Sequence, residues 1–202
     1  MSQAVLFAAE PRVLAEDGEG GIRYWPRFVS DSLAAHWYAQ LRDEVDWKSE
    51  RRPMYDRVVD VPRLIAGFAL EGSEPFPDAL KEAARAVSEG LGVAFTHVGM
   101  NHYRDGRDSV APHNDKLHSI VPGYPIALLS LGAARRMDIR EKTLGGTPAK
   151  RRSWRLELEP GSLLVMSHDS QKHFDHGIPK TAATVGPRIS LAFRVRPQGG
   201  RW

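Results

Sequence analysis

A chain of 202 residues, 42% hydrophobic and 26% charged, is long enough to bury one substantial core and predicts a single domain. Its formal charge of +3 permits an anionic partner without requiring one. The absence of cysteine excludes a disulfide framework, a thiolate metal site and a cysteine nucleophile, so any metal falls to histidine and carboxylate.

The N-terminal "AVLFAA" is too short to span a membrane, follows no basic residue and runs into Glu10, Glu16 and Asp17. It predicts a soluble, unexported protein, cytoplasmic in a bacterium and intracellular otherwise. Residues 1–20 lack a sustained period and read as a flexible arm before a domain over 21–202. In "SDSLAAHWYAQLRDEVDW", Ser30 or Ser32 can cap a helix carrying Leu33, His36, Trp37, Leu41 and Val45 at helical spacing. A second helix is predicted in "FPDALKEAARAVSEGLG", opened by Pro77 and Asp78 and stopped by Gly90. Between them, residues 48–75 with Pro53, Pro62 and Pro75 read as loop-rich. Beyond Gly92 come short β-rich runs: "VAFTHVGMNHY", "PIALLSLGAA", "RRMDIREK", "SWRLELEPGSLLVMS" and "RISLAFRVR". "WRLELE" and "SLLVMS" read as a hairpin around Pro160 and Gly161. The economical fold is α+β, mainly β: a helical N-terminal layer on an antiparallel sandwich or barrel.

The last strand alternates. Ile189, Leu191, Phe193 and Val195 share one face, and Arg188, Ser190, Ala192, Arg194 and Arg196 the other. The arginine face is either wet, as in many antiparallel sheets, or interior. In the second case Arg188 and Arg194 need an anion, which a small dicarboxylate would supply. Asn101 and Tyr103 share a face of an earlier strand and could bind a carboxylate, or be ordinary surface residues. His-x-Asp occurs twice, as His113 with Asp115 and His173 with Asp175. With 8 histidines, chance alone supplies the triplet roughly half a time, so spacing by itself is weak. His113 and Asp115 with the distant His176 would form a facial triad suited to non-haem Fe(II). His168 or His173 could replace His176. The second pair has only the adjacent His176 to join it, on the opposite strand face. For His36, His97, His102 and His118 a surface or hydrogen-bonded imidazole is the expectation.

The order of "NHYRDG", "PHNDK", "PIALLSLGAARRMDIREK", "LEPGSLLVMS", "HFDHGIP" and "PRISLAFRVR" resembles the AlkB-like family of Fe(II) and 2-oxoglutarate-dependent dioxygenases over about residues 20–196. The resemblance implies a double-stranded β-helix (jelly roll) core over about 92–196, with the N-terminal helices packed on one side. It implies a metal triad of His113, Asp115 and His176, and 2-oxoglutarate contacts at Asn101, Tyr103, Arg188, Ser190 and Arg194. Arg188 would take the distal carboxylate. The implied reaction consumes O2 and 2-oxoglutarate and oxidises an N-methyl group, releasing succinate, CO2 and formaldehyde. The implied partner is alkylated DNA or RNA, acted on by a monomer in alkylation-damage repair.

A substrate lid would span about 48–75, with Arg51, Arg52, Arg57 and Arg63 for phosphates and Met54, Tyr55 and Phe68 for stacking. Arg135 is a further substrate-binding candidate, and "AKRRSWR" a second basic segment. Two departures stand out. Leu117 occupies a place where base-repairing members often carry an acidic residue, and Arg188-Ile189-Ser190 replaces the frequent Arg-x-Asn. The same chemistry on a protein, a tRNA or a small molecule therefore remains open. So does a metal-dependent binding module without turnover.

Overall fold

The computed structural model describes residues 10–54, 57–72, 75–142 and 151–197. Within the segment expected to be a loose arm, β1 (Arg12–Ala15) pairs antiparallel with β2 (Ile22–Trp25). The turn between them is held by Asp17, whose carboxylate accepts from Glu19 N and Gly21 N at 2.8 Å and from Ser167 Oγ at 2.6 Å. Order therefore begins before Gly21, and the signal was a side-chain turn rather than a hydrophobic period.

Helix α1 (Asp31–Glu44) starts where Ser30 Oγ accepts from Leu33 N at 3.3 Å, and it buries Ala34, Trp37 and Leu41. His36 faces out. Next come β3 (Lys48–Met54) and β4 (Arg57–Ala69), paired antiparallel. The expected loop-rich stretch is thus mostly strand. Its prolines fit because Pro53 lies on the edge strand β3, and Pro62 sits where the register shifts between Ser49 and Arg51. Helix α2 (Asp78–Leu91) passes through Gly90 and ends at Gly92, whose left-handed φ of 64° lets Val93 N reach Ser88 O at 3.0 Å.

The remaining elements are β5 (His97–Tyr103), β6 (Val110–His113), β7 (Ile126–Gly132), β8 (Arg135–Glu141), β9 (Ser153–Leu158), β10 (Leu163–Met166), the short α3 (Ser170–His173), β11 (Phe174–Ile178) and β12 (Arg188–Arg194). Eight strands form one sheet in the order β1, β2, β10, β7, β12, β5, β4, β3, and four form another in the order β6, β11, β8, β9. Facing sheets of this kind make a jelly roll. β9 and β10 are not a hairpin, because they lie in different sheets. The chain turns a corner at Gly161, whose N–H donates to Ser130 O at 2.8 Å while its carbonyl accepts from Phe28 N and Val29 N.

Two hydrophobic clusters fill the layers. Trp37, Leu41, Leu80, Ala83 and Val87 of the helices pack on Met100, Leu129, Leu131, Ile189, Leu191 and Phe193 of the large sheet. Between the sheets lie Tyr103, Leu128, Met137, Ile139, Leu156, Phe174, Ile178 and Ala192. The large sheet is therefore covered on both faces, so the arginine face of β12 points inward rather than into water. No described helix is long and apolar enough to cross a membrane.

Gly132 closes β7 with φ 80°, and a Cβ there would stand 2.6 Å from Pro187 O and 2.7 Å from Tyr38 Cε2. Gly132→Ala is expected to lower unfolding free energy by roughly 1–3 kcal/mol. The check is a fall in the urea midpoint with an unchanged slope.

Candidate functional site

The cleft between the sheets encloses about 440 Å³, its open mouth included. Antiparallel pairing sets its walls: Arg188 lies opposite Tyr103 and Ser190 opposite Asn101, so the inward side chains of β12 and β5 meet in one layer. The small sheet supplies the other wall, where His176 of β11 registers with His113 of β6.

His113, Asp115 and His176 each place a ligand atom within 4.8 Å of the others, and no second such group exists among the described residues. The two imidazole centroids are 4.5 Å apart. His113 Nδ1 lies 2.9 Å from Ala111 O. A carbonyl oxygen only accepts, so Nδ1 carries the proton and Nε2 keeps its lone pair for a metal. Burial, then the neighbouring His113, pushes His176 down to about 4 and keeps it neutral at pH 7. Burial alone would raise the Asp115 carboxyl, but the Arg194 guanidinium and the imidazoles outweigh it and hold it below its ordinary value. Arg194 Nε and Nη2 reach the two Asp115 oxygens at 2.8–3.1 Å. Arg194, expected to contact the co-substrate, is thus placed with its fork on Asp115.

At the inner end, Arg188 is 1% exposed. Its Nη2 donates to Ser130 Oγ at 2.9 Å, while Nε and Nη1 have no hydrogen-bond partner among the described residues. Its guanidinium lies 5.2 Å from the centre of the Tyr103 ring. Burial lowers the Arg188 pKa, and burial raises that of Tyr103. A buried cation with two open donors, in a cleft that also holds Asn101, Tyr103 and Ser190, suits a carboxylate.

Other candidates lie elsewhere. Arg63 Nε donates to Asn101 Oδ1 at 2.6 Å, so this arginine lines the inner cleft rather than the outer lid. Arg135 is 2% exposed and donates to the carbonyls of Asp105, Asp108 and Pro179, each at 2.9 Å. It ties the β5–β6 turn to the end of β11 and lies outside the residues that line the cleft. Arg51 is exposed on β3. Tyr55 lies outside the described residues, as do the side chains of Arg52 and Arg57 and part of "AKRRSWR". Leu117 opens a 3₁₀ turn over Leu117–Ser119, half-buried and outside the cleft lining. His173 lies 3.6 Å from Asp169, and Asp175 points outward 3.7 Å from Lys142, so the rival pair forms no site. His102 is neither on the surface nor hydrogen-bonded among the described residues. It packs 5.0 Å from Trp47, and burial lowers its pKa. Sequence reasoning missed Ser130, although its alternation with Leu128 on β7 could have placed it on the cleft face.

Two histidines and a carboxylate, opposite a buried arginine in a jelly roll, are a donor set that could hold a single metal ion beside a chelating acid. The chain belongs to the 2OG-Fe(II) oxygenase superfamily, whose model matches residues 66–194. DNA oxidative demethylase ALKBH2 of Homo sapiens is 37% identical over 123 residues, 60% of this chain and 47% of that protein. Alpha-ketoglutarate-dependent dioxygenase alkB homolog 3 of Homo sapiens is 29% identical over 226 aligned positions, 99% of this chain and 79% of that protein. The AlkB-like resemblance therefore holds, although the chain spans about half the length of the ALKBH2 relatives it matches. A crystal structure of a Pseudomonas putida prolyl-4-hydroxylase shares the fold, with a TM-score of 0.56 and 15% identity over 88% of this chain and 94% of that one. The cofactor set of the superfamily is Fe(II), 2-oxoglutarate and O2. The donor set and the open Arg188 donors fit that set.

Proposed function

We propose that this protein oxidatively demethylates N-alkylated bases in DNA or RNA. The observation that carries this reading is the triad facing Arg188 across a cleft whose lining includes Arg63 of β4. Beyond its pairing with β5 at Leu64–Ala69, β4 pairs among the described residues only with β3, as a two-stranded ribbon. The sequence of that ribbon includes Arg51, Arg52 and Arg57, and its strand β4 continues to Arg63 in the cleft lining, a basic composition suited to a nucleic-acid backbone. The names of the ALKBH2 relatives support the same substrate class.

Bound Fe(II), 2-oxoglutarate and O2 would supply a two-electron oxidation, with 2-oxoglutarate leaving as succinate and CO2. His113, Asp115 and His176 would hold the metal on one side and leave its other positions open. Arg188, with Tyr103 and Ser130 beside it, would anchor the distal carboxylate of the co-substrate and so orient its keto acid end toward the triad. Arg194 keeps Asp115 ionised and fixed in direction. Leu128, Met137 and Ala192 would form an apolar wall to the space between. A second reading, the same oxidation on a different substrate, is favoured by Leu117, which offers a base no polar contact.

The test is anaerobic loading with Fe(II) and 2-oxoglutarate, then oxygen and a panel of methylated single- and double-stranded oligonucleotides. Succinate and formaldehyde rising in step are expected. Succinate without formaldehyde on every member would pass the substrate to another class, and neither product from metal-loaded protein would favour a binding module.

A further inference from the structure

Asp115 reaches the site from beyond the last strand residue of β6, His113, so no ladder holds it. Its backbone N–H instead donates to Oε1 of Gln171 at 3.0 Å. Gln171 is 1% exposed in α3, immediately before the strand that carries His176. The amide orientation is determined by its partners: facing an N–H, only its oxygen serves. Its Nε2 lies 3.3 Å from Ser170 Oγ, a hydroxyl that itself donates to Ser167 O at 2.7 Å.

A second tie holds the residue between the two ligands. Asn114 Oδ1 accepts from Lys142 Nζ at 2.8 Å, and Asn114 Nδ2 donates to Asp115 O at 3.0 Å. Lys142 Nζ also donates to Gln171 O at 2.7 Å and lies 3.7 Å from Asp175 Oδ1. Its ammonium thus joins the ligand loop, α3 and β11. Its own backbone N–H donates to His173 O at 2.7 Å, which fixes Lys142 to the same element.

We infer that Gln171 and Lys142 are positioning residues for the metal centre, a two-point clamp that sets Asp115 against His176 without touching the ion. The inference rests on the triad being the metal site. An amide and an ammonium suit the task, because one must accept from a backbone N–H while the other serves several acceptors at once. Partners that orient metal ligands typically account for about 10- to 100-fold in metal affinity.

The test is Mn(II) titration of the full chain, followed by the paramagnetic resonance of the free ion, beside thermal unfolding of the metal-free protein. The variants are Gln171→Leu, Lys142→Met, Lys142→Arg and, as the control, His176→Ala. Wild type should bind one Mn(II), and His176→Ala should bind none. Gln171→Leu and Lys142→Met should raise Kd about 10- to 100-fold, and Lys142→Arg, keeping charge and donors, should recover most of the loss. If Gln171→Leu fails to fold, the partly exposed Lys142 decides through its two variants. A lower unfolding temperature with an unchanged Kd would make the pair structural and overturn the clamp. A wild type that binds no Mn(II) would overturn the metal-site reading, and the clamp with it.

Discussion

His176→Ala is expected to abolish stoichiometric Fe(II) binding and to lower turnover by about a thousandfold or more, because several kcal/mol of metal stabilisation disappear with the ligand. The imidazole is 5% exposed, kept neutral by burial, and paired in register with His113 across two strands. A neutral, preplaced ligand spends nothing on deprotonation at pH 7. The two remaining ligands, His113 at the end of β6 and Asp115 just beyond it, cannot close a facial set. Metal content after desalting and succinate formation are the readouts. A variant with full metal content and turnover would return the third position to His168 or His173.

Arg188→Met should separate function from stability. The guanidinium is buried, with a hydrogen bond from Nη2 to Ser130 Oγ, and its Nε and Nη1 have no hydrogen-bond partner among the described residues. Losing charge-assisted bonds to a carboxylate costs about 1.5–3 kcal/mol, so the 2-oxoglutarate KM should rise roughly 10- to 150-fold. The ligand-free protein should behave oppositely. A buried cation without a counter-charge is destabilising, and methionine fills the space with an apolar chain. The variant is expected to unfold at an equal or higher temperature than wild type, and added 2-oxoglutarate should raise the wild-type temperature alone. An unchanged KM would remove Arg188 from the co-substrate site.

Local patterns made much of this legible. Ser30 or Ser32 before an apolar helical stripe marked the start of α1, which Ser30 caps, and alternation in β12 divided Ile189, Leu191 and Phe193 from Arg188, Ser190 and Arg194. The motif order carried the family and with it the jelly roll. Each of these signals is short-range, set by a cap, a period or a fixed spacing. Where the chain crosses between sheets, such signals fail. "WRLELE" and "SLLVMS" look like one hairpin, yet Ser130 and Val29 take the corner at Gly161 and send the strands to different sheets. Prolines suggested loops at residues 48–75, because no local rule tells an edge strand with a bulge from a loop.

By itself, then, the sequence determined which residues can ligate a metal, which strand face is apolar and which family the chain resembles, because those properties belong to side chains and their spacing. Only the tertiary structure decided that the arginine face of β12 is interior, that Arg135 is consumed by three carbonyls, and that Gln171 and Lys142 hold the loop of Asp115. Those facts depend on which distant backbone groups arrive beside a side chain, and sheet pairing alone brings them there.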